Sequence, residues 1–212
     1  MLTRRTRCVN HLDEVIKTML KQDKVELKDT VKNLLLSTGR DGIQNLVKWL
    51  EEETDYFTAP SSTKYHGACE GGLLNHSFTV LMRLVELTNQ FGYITKYNYD
   101  SLVVCALLHD LCKVNFYKKG TKNVKNPDTG KWETVETYIV DEQFKYGGHG
   151  SKSVYLAMRF IQLEDFEASA INCHMGAWDL STYNNPSGVY ESNPLAWLLH
   201  VADEAATYID RQ

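Results

Sequence analysis

Ser-Leu-Val-Val-Cys-Ala-Leu-Leu-His-Asp-Leu-Cys-Lys, residues 101–113, sets two metal-ligand side chains at the end of an apolar run. The pattern predicts a helix over 99–113 that is apolar on nearly every side, and such a helix is buried. His109 and Asp110 then enter an interior where an imidazole and a carboxylate are costly without partners. A divalent cation partners both at once. A helix advances about 100° per residue, so the two side chains occupy adjacent faces and reach one ion beside the helix. Lys113, four residues after His109 and three after Asp110, lies over the same face. An ammonium beside a cation is repelled unless an anion such as phosphate comes between them. The plainer reading of Lys113 is a lysine at a helix end, favoured by the dipole.

Further candidates lie on both sides of this stretch. His76 sits in Glu-Gly-Gly-Leu-Leu-Asn-His, near the start of an apolar helix. His149 is framed by Gly147, Gly148 and Gly150 at a helix start, and His174 closes a helix. Asp203 lies inside Leu-Leu-His-Val-Ala-Asp-Glu-Ala, where an acid on an apolar face needs a partner. Singly, each has an ordinary structural explanation. Together they form a donor set for divalent metal.

The chain reads as mostly α-helical. Amphipathic spacing predicts helices over 9–22 and 27–38, a third after Asp41, and one over 72–90. Residues 57–71 read as loop. Between 114 and 146 the helical period fails. Val124 and the run Trp132, Val135, Tyr138, Val140 suggest two strands around Asn126-Pro127-Asp128-Thr129-Gly130. Helices resume after Gly150, again over 164–174, and from about Asn193, with 179–194 read as loop. The expected fold class is all-α, a helical bundle with a small β-hairpin insertion. Its division is an N-terminal helical segment, 1–56, packed on a domain of 57–212.

Composition fits an ordinary globular chain, with 43% hydrophobic and 24% charged residues. A net charge of −4 argues against a broad electrostatic grip on nucleic acid. No apolar stretch approaches the roughly 20 residues that span a bilayer, so no membrane partner is expected. Five cysteines without Cys-x-x-Cys spacing speak against a disulfide framework or zinc ribbon. A reducing cytoplasm is the natural compartment.

The order His76, His109-Asp110, Asp203 resembles the HD-domain metal-dependent phosphohydrolases. Gly-Gly-Leu-Leu-Asn-His is similar to their first-histidine motif, and His-Asp-Leu-Cys-Lys to their His-Asp-x-x-Lys. The stretch from His66 to His76 also resembles the HD domain of YhaM-type 3′-to-5′ exoribonucleases, whose N-terminal OB-fold is replaced here by a helical segment. The resemblance implies a bundle of five or more helices with metal at its centre. It implies a first metal on His76, His109, Asp110 and Asp203. A second would be held by His149 and His174 and bridged by Asp110, as in the family's two-metal subset. Asp110 and Lys113 would be the catalytic residues, with Lys113 neutralising phosphoryl charge. Such an imidazole-rich site suits Mn²⁺, Fe²⁺, Co²⁺ or Ni²⁺ better than Mg²⁺, and Zn²⁺ stays open.

The expected activity is hydrolysis of a nucleotide or a related small phosphate ester. One alternative is a phosphodiesterase or exonuclease on single-stranded nucleic acid. Another is a non-catalytic nucleotide-binding module. His66, Lys113 and Trp178 are the substrate-binding candidates. His200, three residues before Asp203, is read as supporting or packing. Lys118, Lys119, Lys122, Lys125 and Lys131, interleaved with Phe116, Tyr117 and Trp132, could line a phosphate or base pocket or simply form a solvated hairpin. No phosphate-binding Gly-rich loop and no Gly-x-Ser-x-Gly accompany them.

Overall fold

The computed structural model of this chain describes residues 24–64, 67–179 and 186–210. Among these, eight α-helices and one two-stranded hairpin build the protein. In chain order the helices are α1 (Lys24–Ser37), α2 (Ile43–Glu52), α3 (Gly72–Gln90) and α4 (Tyr99–Leu108). The hairpin β1 (Tyr117–Lys125) and β2 (Trp132–Val140) follows. Then come α5 (His149–Met158), α6 (Asp165–Asn172), α7 (Pro186–Ser192) and α8 (Pro194–Tyr208). The class is all-α with one β excursion. The helix read over 9–22 lies outside the described residues.

Local chemistry starts the helices where the sequence punctuates them. The Asn98 side chain accepts from the Ser101 amide at 2.7 Å and caps α4. Glu164 and Glu167 form a reciprocal capping box on α6. Pro194 opens α8 at a position where its missing N–H costs nothing. Every residue of α4 from Ser101 to Leu108 is buried, as an all-round apolar helix requires. Around it one continuous core collects Leu73, Leu81 and Leu84 of α3 with Leu195, Leu198 and Leu199 of α8. Val31 and Leu35 of α1 and Leu46 and Leu50 of α2 belong to the same core. No helix among the described residues is long and apolar enough to cross a membrane.

Two departures from the sequence reading bear on the site. The helix expected over 99–113 ends at Leu108, and Asp110 adopts φ −106°, ψ 22° before a 3₁₀ turn at Leu111–Lys113. The Cys112 amide donates to Ser153 Oγ of α5 at 3.0 Å, and the Lys113 amide turns back to the Asp110 carbonyl at 3.0 Å. A bond to a neighbouring helix thus replaces the next rung of the ladder. Secondly, 179–194 is not loop throughout, since it contains α7. Proline can open a helix there, and Tyr190 of α7 donates to the Cys173 carbonyl at 3.3 Å.

The hairpin is antiparallel, in register from Tyr117 opposite Val140 to Lys125 opposite Trp132. It stands out from the bundle, and Trp132 at its far end is 72% exposed. Asn126 Oδ1 accepts from the amides of Asp128 and Thr129, which forms the turn predicted there.

Candidate metal centre

Two helices and two turns deliver the centre. α3 carries His76 and packs along α8, which carries Asp203. The turn after α4 carries His109 and Asp110, and the turn after α6 carries His174. Two glycines permit the approach. A Cβ on Gly72 would lie 2.0 Å from the Gly67 carbonyl oxygen, and one on Gly150 would lie 2.2 Å from that of Asn172. The second contact seats the start of α5 against the end of α6, so His149 and His174 reach the same end of the bundle.

His76 Nε2 lies 3.0 Å from Asp203 Oδ1 and 3.5 Å from Asp110 Oδ2. His109 Nε2 lies 3.3 Å from His76 Nε2, 3.4 Å from Asp110 Oδ2 and 3.9 Å from Asp203 Oδ1. His174 Nε2 approaches Asp110 from its other oxygen, at 3.7 Å from Oδ1. All five residues are buried. Their ligand atoms form two overlapping groups, His76/His109/Asp110 and His109/His174/Asp203, each spanning no more than 4.8 Å.

The tautomers follow from the backbone. His109 Nδ1 is 2.7 Å from the Ala106 carbonyl, and His174 Nδ1 is 2.7 Å from that of Ile171. A carbonyl only accepts, so each Nδ1 carries the proton, and in its neutral form each ring turns the Nε2 lone pair inward. His174 Nε2 is buried and finds no hydrogen-bond partner among the described residues. Leaving such an atom unsatisfied costs about 1–3 kcal/mol. A cation accepts those lone pairs and the two carboxylates together, so the donor set fits a divalent metal.

The electrostatics also call for positive charge at this point. Burial opposes ionisation of Asp110, but Lys113, His109 and His76 outweigh it and hold the carboxyl well below its usual range. Asp203 is likewise depressed, with burial overcome chiefly by His76. Burial also works against charge on His109, yet the Asp110 and Asp203 carboxylates raise its pKa. His174 goes the other way: burial and the nearby His109 push it down to about 4, which keeps it neutral. Lys113 Nζ sits 2.6 Å from Asp110 Oδ2, and that carboxylate overrides burial to raise the lysine's pKa.

The remaining candidates are placed differently. His149 opens α5 outside both groups; its Nδ1 is 3.1 Å from Cys112 Sγ and its ring centroid 6.5 Å from that of Phe116. Trp178 ends a 3₁₀ turn at Gly176–Trp178 and is 74% exposed. His66 lies outside the described residues. His200 Nδ1 donates to the His174 carbonyl at 2.6 Å, and its ring stacks on Tyr190. Sequence reasoning missed the thiol of Cys112 beside His149 and the phenol of Tyr56 under the turn. The only advance signal for Cys112 was its place two residues after Asp110.

A family model described as HD domain matches residues 73–208, which takes in every one of these buried ligand-type residues. The chain belongs to the HD-domain family. HD domains are generally metal-dependent hydrolases of the phosphohydrolase superfamily. The His109-Asp110 doublet that names the family is the turn between α4 and α5's partner segment Leu111–Lys113. Comparisons with curated proteins and with solved structures gave no match. The comparisons therefore identify the HD domain and not a YhaM-type branch within it.

Proposed function

We propose that this HD domain hydrolyses a phosphoester or phosphoanhydride bond of a nucleotide or a related small phosphate ester. The observation that carries the reading is a buried donor set that fits a divalent cation, with a part-buried lysine at its rim. Lys113 Nζ is 2.6 Å from Asp110 Oδ2 and stays protonated there.

His76, His109, Asp110, Asp203 and His174 would hold divalent metal, and His149 would join them at a second position. The two oxygens of Asp110 face different imidazoles, Oδ2 towards His76 and His109 and Oδ1 towards His174. That division is what a bridging carboxylate needs. When bound, divalent metal supplies Lewis acidity, polarising a phosphoryl oxygen and acidifying water. Lys113 supplies a fixed positive charge for the phosphoryl oxygens as negative charge builds on them. The Ala106 and Ile171 carbonyls hold the His109 and His174 rings in the metal-binding tautomer. Trp178, exposed beyond His174, offers a face for a nucleobase, and His66 is a further substrate contact in this reading.

The test is a panel of nucleotides, cyclic nucleotides and short oligonucleotides with Mn²⁺, Co²⁺, Ni²⁺ and Mg²⁺, reading phosphate and products. Turnover of a mononucleotide is expected, strongest with Mn²⁺, Co²⁺ or Ni²⁺. Binding of nucleotide without turnover in any metal would replace the hydrolase reading with that of a binding module.

A second reading rests on the hairpin. Lys119, Lys122 and Lys125 are exposed, and Trp132 stands beside Lys125 across the register. This suits a single-stranded nucleic acid and an exonuclease or phosphodiesterase activity. Lys118 is tied to Asp141 at 3.0 Å, so Lys122→Glu is the cleaner probe. It should weaken oligonucleotide cleavage and leave mononucleotide cleavage intact if the polymer is the substrate.

A further inference from the structure

Phe144, Tyr146 and Tyr155 carry large rings that stay 40–46% exposed although each touches the other two. The Tyr146 and Tyr155 rings stack at 4.6 Å with 22° between their planes. Phe144 leans on both, at 5.8 Å from Tyr146 and 5.7 Å from Tyr155. None of the three belongs to the core of the bundle. Rings that gather in water form an apolar patch with an open face, and such patches mark interaction sites.

The patch is continuous with the edge of the metal centre. There His149 Nδ1 lies 3.1 Å from the sulfur of Cys112, two residues after Asp110. The Phe116 ring lies 6.5 Å from that of His149, and Lys152 Nζ bridges onward, 5.3 Å from the Phe116 ring and 5.7 Å from that of Phe144. Tyr155 follows His149 on α5 by about 9 Å of helix axis, at 1.5 Å per residue. Stacked bases advance about 3.4 Å per nucleotide along one strand, so the offset spans roughly two to three nucleotides.

The free charge beside the rings is positive. Lys145, between Phe144 and Tyr146 in sequence, is exposed, and Arg159 stands one turn after Tyr155 at the end of α5. Arg159 lies against the Trp49 and Phe160 rings, and neither cation forms an ion pair among the described residues. The nearby acids Asp141 and Glu142 are already taken by Lys118 and Lys152, at 3.0 and 2.6 Å. A chain of net charge −4 thus presents aromatic faces with unpaired cations at their side. Every base has a π-face for a ring, and the phosphates between bases suit the cations.

We infer that Phe144, Tyr146 and Tyr155, flanked by Lys145 and Arg159, form a stacking platform for the bases of a single-stranded nucleic acid. The strand runs along α5 with its end at the metal centre. That last link rests on the polymer reading of the centre, whereas binding itself is a property of the metal-free chain.

The experiment is fluorescence anisotropy of the full chain in chelator with a short labelled oligo(dT), beside the same strand annealed to oligo(dA). The single strand should bind, and the duplex, whose bases are covered, should bind far more weakly. Tyr155→Ala should weaken the single strand about 5–150-fold, which is about 1–3 kcal/mol for one base stack. Phe144→Ala, in the segment before α5, repeats the test away from the helix. Tyr155→Phe keeps the ring and should bind like the parent. Lys145→Glu should weaken binding and lower its salt dependence by about one phosphate contact. A parent that leaves the single strand free at low salt, a duplex held as tightly, or ring-to-alanine variants that bind like the parent would overturn the platform. So would a parent that is dimeric by light scattering and monomeric as Tyr155→Ala, because a second copy would then cover the rings. Strand binding in a protein that cleaves no phosphate ester with any metal would support the platform while removing the hydrolase reading. Mononucleotide cleavage without strand binding would do the reverse.

Discussion

The Tyr56 hydroxyl donates to the Leu107 carbonyl at 2.6 Å, two residues before His109 and wholly inside the core. This bond ties the segment after α2 to the last turn of α4, where the helix gives way to the ligand-bearing turn. Tyr56→Phe leaves that carbonyl buried and unpaired. Denaturant unfolding should show a loss of about 1–3 kcal/mol. A loss below a few tenths of a kcal/mol would mean that the bond does not hold the end of α4.

Asp110→Asn should abolish both hydrolysis and metal retention, because it neutralises the carboxylate whose two oxygens face His76, His109 and His174. His149→Ala should lower metal content by one ion per chain while leaving the ion at His76 and Asp203. Elemental analysis after gel filtration reads both. A parent that retains a single ion would remove the second position and leave the first.

Metal binding should stabilise the fold. One site at a hundredfold excess of free ion over its Kd adds about 2.7 kcal/mol. Thermal melts with Mn²⁺ should therefore rise over melts in chelator, and the rise should vanish in Asp110→Asn. An equal rise in that variant would locate the stabilising ion elsewhere.

Lys152 on α5 is nearly buried, with its Nζ 2.6 Å from Glu142 Oε1 and seated 5.3 Å from the Phe116 ring and 5.7 Å from that of Phe144. It clasps both ends of the hairpin excursion to the helix that His149 opens. Glu142→Gln strands the ammonium. Fully buried pairs lose about 3–5 kcal/mol when one partner goes, and the part-exposed Glu142 should lose less. Proteolysis within 114–148 should accelerate before the bundle unfolds; unchanged cleavage would show that the clasp is dispensable.

Asp210 receives a bidentate grip from Arg83, at 2.6 Å from Nε and 2.5 Å from Nη2, which lowers its pKa although burial slightly opposes it. A carboxyl depressed in the folded state adds stability above its unfolded pKa of about 3.9, and that stability is lost as pH falls through the folded value. Asp210→Asn should flatten this acid limb of the stability curve. Both groups are part-exposed, with side chains 34% and 22% accessible, so the difference should be small and shrink at high salt. An Asp210→Asn curve parallel to that of the parent would show that the pair is not felt.

The fold class was legible because α4 is apolar on every side and the helices around it keep a clear period. The hairpin was legible in Asn126-Pro127-Asp128-Thr129-Gly130, whose side chains make the turn locally. The end of α4 was not. Residues 109–113 have no breaker, and only Ser153, far along the chain, draws the Cys112 amide out of the helix. The short helix α7 was hidden by its polar, proline-bearing sequence and depends on packing against the turn at Cys173. The residues of the centre were legible as types, since acids and histidines beside apolar runs need a reason to be there. Their mutual geometry was not, because it depends on helix packing. The sequence also gave no hint that His149 would meet a sulfur.

The β excursion leaves the bundle just after Lys113 and rejoins it just before His149. Its two ends are thus anchored at the chemistry while its body, out to Trp132, hangs free of the core. Such an arrangement behaves as an exchangeable cassette. Replacing 118–139 with a shorter or differently charged ribbon should retune which molecules gain entry, and the buried set of imidazoles and carboxylates would not have to be rebuilt.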